Sequence, residues 1–251
     1  MSLRLRKRVV MQLVTIPNDS LNRECSEIKP SEASQYEDIA SEMIDIMAES
    51  NGIGLAAPQV GIDKRLIVFF GTISEEGHGD PVVMINPEIT ELSGELVTEI
   101  EGCLSVPIFR VPVERPSHVC VTALDVRGNR FEYQADGFVA KCIQHEIDHL
   151  NGITLLEHLD DATESRCVVV PNSYVGLEES EDDEFPFVVI KVDGRADAIG
   201  LYDDVFSEEA PDKRFMRLFE RLVRRGELQF DDQGDVDDRA ASEETVTEND
   251  A

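Results

Sequence analysis

The sequence predicts an α+β fold with mostly antiparallel sheets. Three observations carry this: an amphipathic stretch at residues 32–49, a series of short β-branched or alternating runs bounded by Gly, Pro or Asn, and a second helical stretch after them. No internal repeat is present.

At the start, Arg4, Arg6, Lys7 and Arg8 precede the apolar run Val9-Val10-Met11. A charged start of this kind resembles a signal peptide. Gln12 and Thr15 interrupt the run, and no small-residue cleavage site follows before Pro17-Asn18-Asp19, so the segment is read as a first strand. Glu32 to Glu49 places Tyr36, Ile39, Ala40, Met43 and Met47 at helical spacing, with Ser31 as N-cap and Asn51-Gly52 as stop. Residues 52–59 (GIGLAAPQ) are too rich in small residues for an ordinary helix or strand.

Arg65 to Phe70, Val82 to Asn86, Glu95 to Glu101, Val119 to Val126 and Asn129 to Gln134 read as strands. Leu124 to Phe131 has the pattern of a hairpin turning at Arg127-Gly128-Asn129. Asp136 to Asn151 is helical again and closes at Gly152.

Charge marks a boundary. Residues 171–251 hold 24 acidic and 9 basic side chains, whereas residues 1–170 hold 28 and 14 over twice the length. The expected division is a main domain at 1–160, an acidic linker at 161–184 and a small αβ extension at 185–226. That extension contains a strand (Phe185 to Asp193) and a helix (Asp212 to Arg225). A disordered acidic tail at 227–251 completes the chain.

A formal net charge of −29 disfavours contact with a phosphate backbone. No run of 18 apolar residues exists to span a bilayer. Five scattered cysteines in 251 residues fit a reducing compartment better than a disulfide scaffold.

The strongest chemical signal is His145-Glu146-Ile147-Asp148-His149. On a helix, residues four apart share a face, so both imidazoles can reach one metal ion. Glu146 can take a proton from a water that the metal activates. A catalytic site wants a third protein ligand and an open position. His78, His118 and His158 lack a distinctive setting. Cys103, in Glu101-Gly102-Cys103-Leu104-Ser105, has a glycine that permits close approach and a thiolate suited to a transition metal. On these residues alone a zinc peptidase stays open.

Residues 52–59, Glu101 to Ser105 and Gln144 to Leu150 resemble, in order, the three signature motifs of peptide deformylases, and Ile85-Asn86-Pro87-Glu88-Ile89 resembles a strand and turn of that family. The resemblance spans about Val9 to Leu159. It implies sheets packed around a central metal-binding helix, and hydrolytic removal of the formyl group from N-formylmethionyl nascent peptides. One divalent metal would be held by Cys103, His145 and His149, natively Fe2+, with Zn2+, Ni2+ or Co2+ as substitutes. Glu146 would be general base and acid, with the Gln59 amide and Leu104 N–H as oxyanion donors. Ile53, Gly54, Gly102 and Arg110 fall at substrate-contacting positions, and Asp148 and Arg115 at a pair that braces the metal helix. The resemblance further implies cytoplasmic work, possible proximity to the ribosome, and contact with neither nucleic acid nor membrane.

Three residues depart from the family pattern. Asn51 stands where an acidic residue is common, Lys141 where the pocket is usually apolar, and Phe138 is bulky. Nothing in the resemblance explains the chain beyond Cys167, for which a partner-binding module and a solvated acidic extension are the two readings.

Overall fold

Leu66–Phe70 is five consecutive apolar residues. A strand turns alternate side chains to opposite faces, so such a run requires cover on both. The computed structural model describes residues 11–74, 77–161, 167–171 and 187–191, and supplies that cover. The chain divides into two compact units, Met1–Ser165 and Arg166–Ala251.

In the first unit, strand β2 (Leu66–Phe70) lies between β1 (Gly54–Ala56) and β5 (Pro81–Cys103). β5 pairs with β6 (Val106–Leu124), which pairs with β7 (Arg130–Asp136), and every one of these pairings is antiparallel. A two-stranded hairpin, β3 (Ile73–Ser74) with β4 (Gly77–His78), interrupts the path from β2 to β5. Helix α1 (Glu37–Glu49) packs Ala40, Met43 and Met47 against Leu55, Leu66, Val68 and Ile85. Helix α2 (Gly137–Leu150) packs Ala140, Ile143, Ile147 and Leu150 against Ile67, Phe69, Val119 and Val121. Alternate residues of β2 thus feed two cores. Truncating a fully buried ring such as Phe69 to Ala in such a core costs about 3–5 kcal/mol. A short helix α3 (His158–Asp161) follows α2. In the second unit, β8 (Cys167–Pro171) pairs antiparallel with β9 (Phe187–Lys191).

The α+β class and both principal helices are as expected, with differences in detail; the strand expected at Val119 to Val126, for one, is the end of β6, which starts at Val106 and stops at Leu124. Residues 11–15 are irregular, although Val14 N–H donates to the Gln59 carbonyl at 2.8 Å; residues 1–10, the rest of the expected first strand, lie outside the described residues. The expected helix from Glu32 is a 3-10 turn, Pro30–Tyr36, followed by α1. Lys29 rather than Ser31 takes the cap, because Pro30, with its fixed φ and missing N–H, opens the turn. Val82 to Asn86 and Glu95 to Glu101 are one strand, β5. Its pairing with β6 shifts register at four places, and Asn86 (φ 48°) and Gly94 (φ 82°) break the alternation that would reveal a continuous strand. The small-residue segment holds β1 and a 3-10 turn, Ala57–Val60.

The hairpin is as read: Asp125 accepts from the N–H groups of Arg127 and Asn129, both at 2.8 Å, and Gly128 has φ 81°. β9 falls within the expected strand at 185–193, and β8 was not anticipated. The linker at 161–184, the helix at 212–225 and the tail at 227–251 lie almost wholly outside the described residues.

α2 stops just before Gly152, as its sequence suggests. Its φ is 76°, and a Cβ there would stand 2.7 Å from the Arg23 backbone. Gly137, at the other end of α2, also has positive φ (56°) but open space around it. Urea titration should find Gly152→Ala destabilised by ~2 kcal/mol or more, and Gly137→Ala by only about half that.

Candidate metal centre

α2 lies with one face against the sheet, and His145 and His149 are one turn apart on it. Their rings meet edge to face with centroids 5.0 Å apart. β5 ends beside them at Cys103. A thiol sulfur from Cys103 and one ring nitrogen from each histidine lie within 4.8 Å of one another, all three residues buried. Cys103 Sγ is 3.2 Å from His149 Nε2. Burial opposes a thiolate at Cys103, but the charge of His149 and hydrogen bonding from both histidines outweigh it and hold the thiol well below its usual range. The thiolate is the form that binds metal, so the donor set fits a divalent transition ion.

The orientation of His145 is set from behind. Its Nδ1 donates to Glu101 Oε2 at 2.9 Å, which leaves Nε2 as the free lone pair. Glu101 is in turn gripped by Arg115, whose Nε donates to Oε1 at 2.6 Å and Nη2 to Oε2 at 3.1 Å. Arg115 also reaches Asp148 on α2, Nη1 to Oδ2 at 2.8 Å, and His158 Nε2 stands 3.1 Å from the same carboxylate oxygen. Burial works against the Glu101 carboxylate, yet hydrogen bonds from His145 and Arg115 bring its pKa down to about 2. Asp148 is likewise lowered: burial opposes, and His158 and Arg115 prevail.

Glu146 faces the same cleft, buried, with Oε2 lacking a hydrogen-bond partner among the described residues. Burial raises its pKa to about 7 against the pull of His145 and His149, with Cys103 and Glu101 adding to the rise. Gly54 explains how the carboxylate fits. A Cβ at Gly54 would lie 2.9 Å from Glu146 Cδ and 2.7 Å from Cys142 Sγ, so only glycine leaves room. Gln59 is buried, its Oε1 accepting the Ala56 N–H at 2.7 Å. This turns Nε2 toward the centre, 3.6 Å from Cys103 Sγ. Leu104 follows Cys103 in the turn between β5 and β6. The guanidinium of Arg110 covers Gly102, whose missing Cβ would lie 2.8 Å from Arg110 Cζ.

These residues line one cleft of about 540 Å³, together with Ile53, Asn51, Phe138 and Lys141. The structure therefore brings together Cys103, His145, Glu146, Gln59, Leu104, Ile53, Gly54, Gly102 and Arg110, with His149 adjoining and Asp148 and Arg115 behind.

Residues 10–165 match the family model described as polypeptide deformylase. The chain belongs to the polypeptide deformylase family. Among similar proteins, a peptide deformylase of Cellvibrio japonicus is 43% identical over 161 residues, 64% of this chain and 85% of the relative. Peptide deformylase 1 of Clostridium perfringens is 49% identical over 120 residues, 48% of this chain and 78% of that one. A crystal structure of a class I type b peptide deformylase from Acinetobacter baumannii with bound Met-Ala-Ser superposes with a TM-score of 0.56 at 38% identity, covering 60% of this chain and 98% of that one. The deformylase match ends at residue 165, where the first compact unit ends.

Two functional-site residues escaped the sequence reading. Glu101 stands in the sequence only as part of a deformylase motif, and His158 has no distinctive setting there. Glu101 and Cys103 are two apart on β5, a spacing that should suggest a shared face, but the register shift at Gly102/Cys103 falls between them. His158 carries no local signal, since its partner Asp148 is on the preceding helix. Replacing Glu101 with Gln should weaken metal binding by about 10–100-fold, read by competition with a chelator.

Proposed function

We propose that this chain is a metal-dependent hydrolase that removes the formyl group from the N-terminal formylmethionine of newly synthesised polypeptides and releases formate. The observation that carries the reading is the convergence of a Cys-His-His donor set, a buried carboxylate and an oriented amide in one cleft, on a deformylase fold.

Cys103, His145 and His149 would hold one divalent ion, Fe2+ natively, with Zn2+, Ni2+ and Co2+ able to replace it. When bound, the metal supplies Lewis acidity, polarising the formyl oxygen and lowering the pKa of the attacking water. Glu146 accepts the proton of that water as it attacks the formyl carbon, then delivers it to the leaving amine. Gln59 Nε2 and the Leu104 N–H donate to the oxyanion that develops. Such donors act because they are aimed before the charge appears, and the Ala56 N–H bond to Gln59 Oε1 supports that aim. Ile53, Gly54, Gly102 and Arg110 receive the peptide, whose main chain can pair with the cleft wall as an added strand. Asp148 and Arg115 position α2.

With nascent formylated chains as substrate, we infer cytoplasmic work in the vicinity of the ribosome. None of the described helices is long and apolar enough to cross a membrane. Every residue of the site falls within 1–160, the proposed catalytic domain.

The decisive assay compares formyl-Met-Ala-Ser with an unformylated peptide. Formate release from the first and no cleavage of the second is expected; cleavage of an internal amide would instead indicate a peptidase. Glu146→Gln should retain the metal and lose about 10²–10⁴-fold in kcat, measured alongside metal content. Chelation should abolish turnover, and added Fe2+ or Ni2+ should restore it.

A further inference from the structure

Lys141 precedes His145 by four residues, so it occupies the same face of α2 about 6 Å further along the helix axis. It lines the cleft with Phe138 and Cys142, and only 5% of its surface is exposed. An ammonium that deep is unfavourable unless paired. Its partner is the Glu99 carboxylate on β5, in direct ion-pair contact. Glu99 also lines the cleft, and its side chain is 46% exposed. The other charges along the cleft are otherwise engaged: Glu101 by Arg115 and His145, and Arg110 by the Phe109 carbonyl at 3.0 Å, while Glu146 sits at the metal cluster.

A formyl group held at Cys103, His145 and His149 would place the side chain of the first residue beside this wall. An extended methionine side chain spans about the ~6 Å that separates Lys141 from His145 along α2. The stem of Lys141 and the ring of Phe138 offer apolar surface, and the charged ends cancel.

We propose that the Glu99–Lys141 ion pair is a charge-neutral wall of the pocket for the substrate's first side chain, and that it discriminates against a charged residue there. This rests on the deformylase reading. An apolar side chain leaves the pair intact, whereas a charged one gains from one partner and is repelled by the other. Either partner alone would present a single sign to the pocket.

The test uses the metal-loaded full chain and three peptides, formyl-Met-Ala-Ser, formyl-Glu-Ala-Ser and formyl-Lys-Ala-Ser, with kcat and KM separated. Glu99→Gln should raise kcat/KM for the Glu peptide relative to the Met peptide by about tenfold, mainly through KM. Lys141→Met should raise the Lys peptide relative to the Met peptide, by less, because Glu99 is half exposed. The double variant should lose both gains. Unchanged ratios in variants that still deformylate the Met peptide overturn the proposal. Should Glu99→Gln fail to fold, the Lys141→Met ratio decides alone. A wild type inert toward formyl-Met-Ala-Ser would sink the deformylase reading, and the proposal with it.

Discussion

The arrangement depends on one buried cation. Arg115, on β6, holds Glu101 of β5 with two hydrogen bonds and Asp148 of α2 with a third contact. Apolar packing can bring two strands and a helix together, but it cannot aim an imidazole. The Arg115–Glu101–His145 chain does so, since Glu101 accepts from Nδ1 and leaves Nε2 facing Cys103 and His149. Burying these charges is costly in isolation. Together they satisfy one another, and removing one member of such a buried pair typically costs about 3–5 kcal/mol because the remainder is left uncompensated. The network therefore couples the fold to the site.

The sheet supplies the rigidity behind it. β2 is covered on both faces, so β1 is fixed against it, and with β1 come Gly54 and the Ala56 N–H that orients Gln59. Space at the centre is allotted by what is missing. Gly54 leaves room for Glu146 and Cys142, and Gly102 leaves room for the guanidinium of Arg110. Preorganisation of this kind lets a site stabilise charge without reorganising during reaction.

Much of this was legible in the sequence because it follows local rules. The His145/His149 pair needs only the helical repeat, α1 stops at Asn51-Gly52 because Asn51 takes φ 53°, and Asp125-to-Asn129 is a turn with its own side-chain caps. The lapses fall where the rule is non-local. Bulges make β5 read as two strands, and a register shift separates Glu101 from Cys103. By sequence Lys141 is only a departure from an apolar pocket; its partner Glu99 stands on another element, which no spacing along the chain reveals.

Everything at the site turns on a single ion held by one thiolate and two imidazoles. X-ray absorption at the zinc edge of the zinc-loaded protein tests it directly. The expected result is one sulfur at about 2.3 Å and two imidazole nitrogens at about 2.0–2.1 Å, with the sulfur shell lost in Cys103→Ser. Coordination by nitrogen and oxygen alone, identical in wild type and Cys103→Ser, would contradict it.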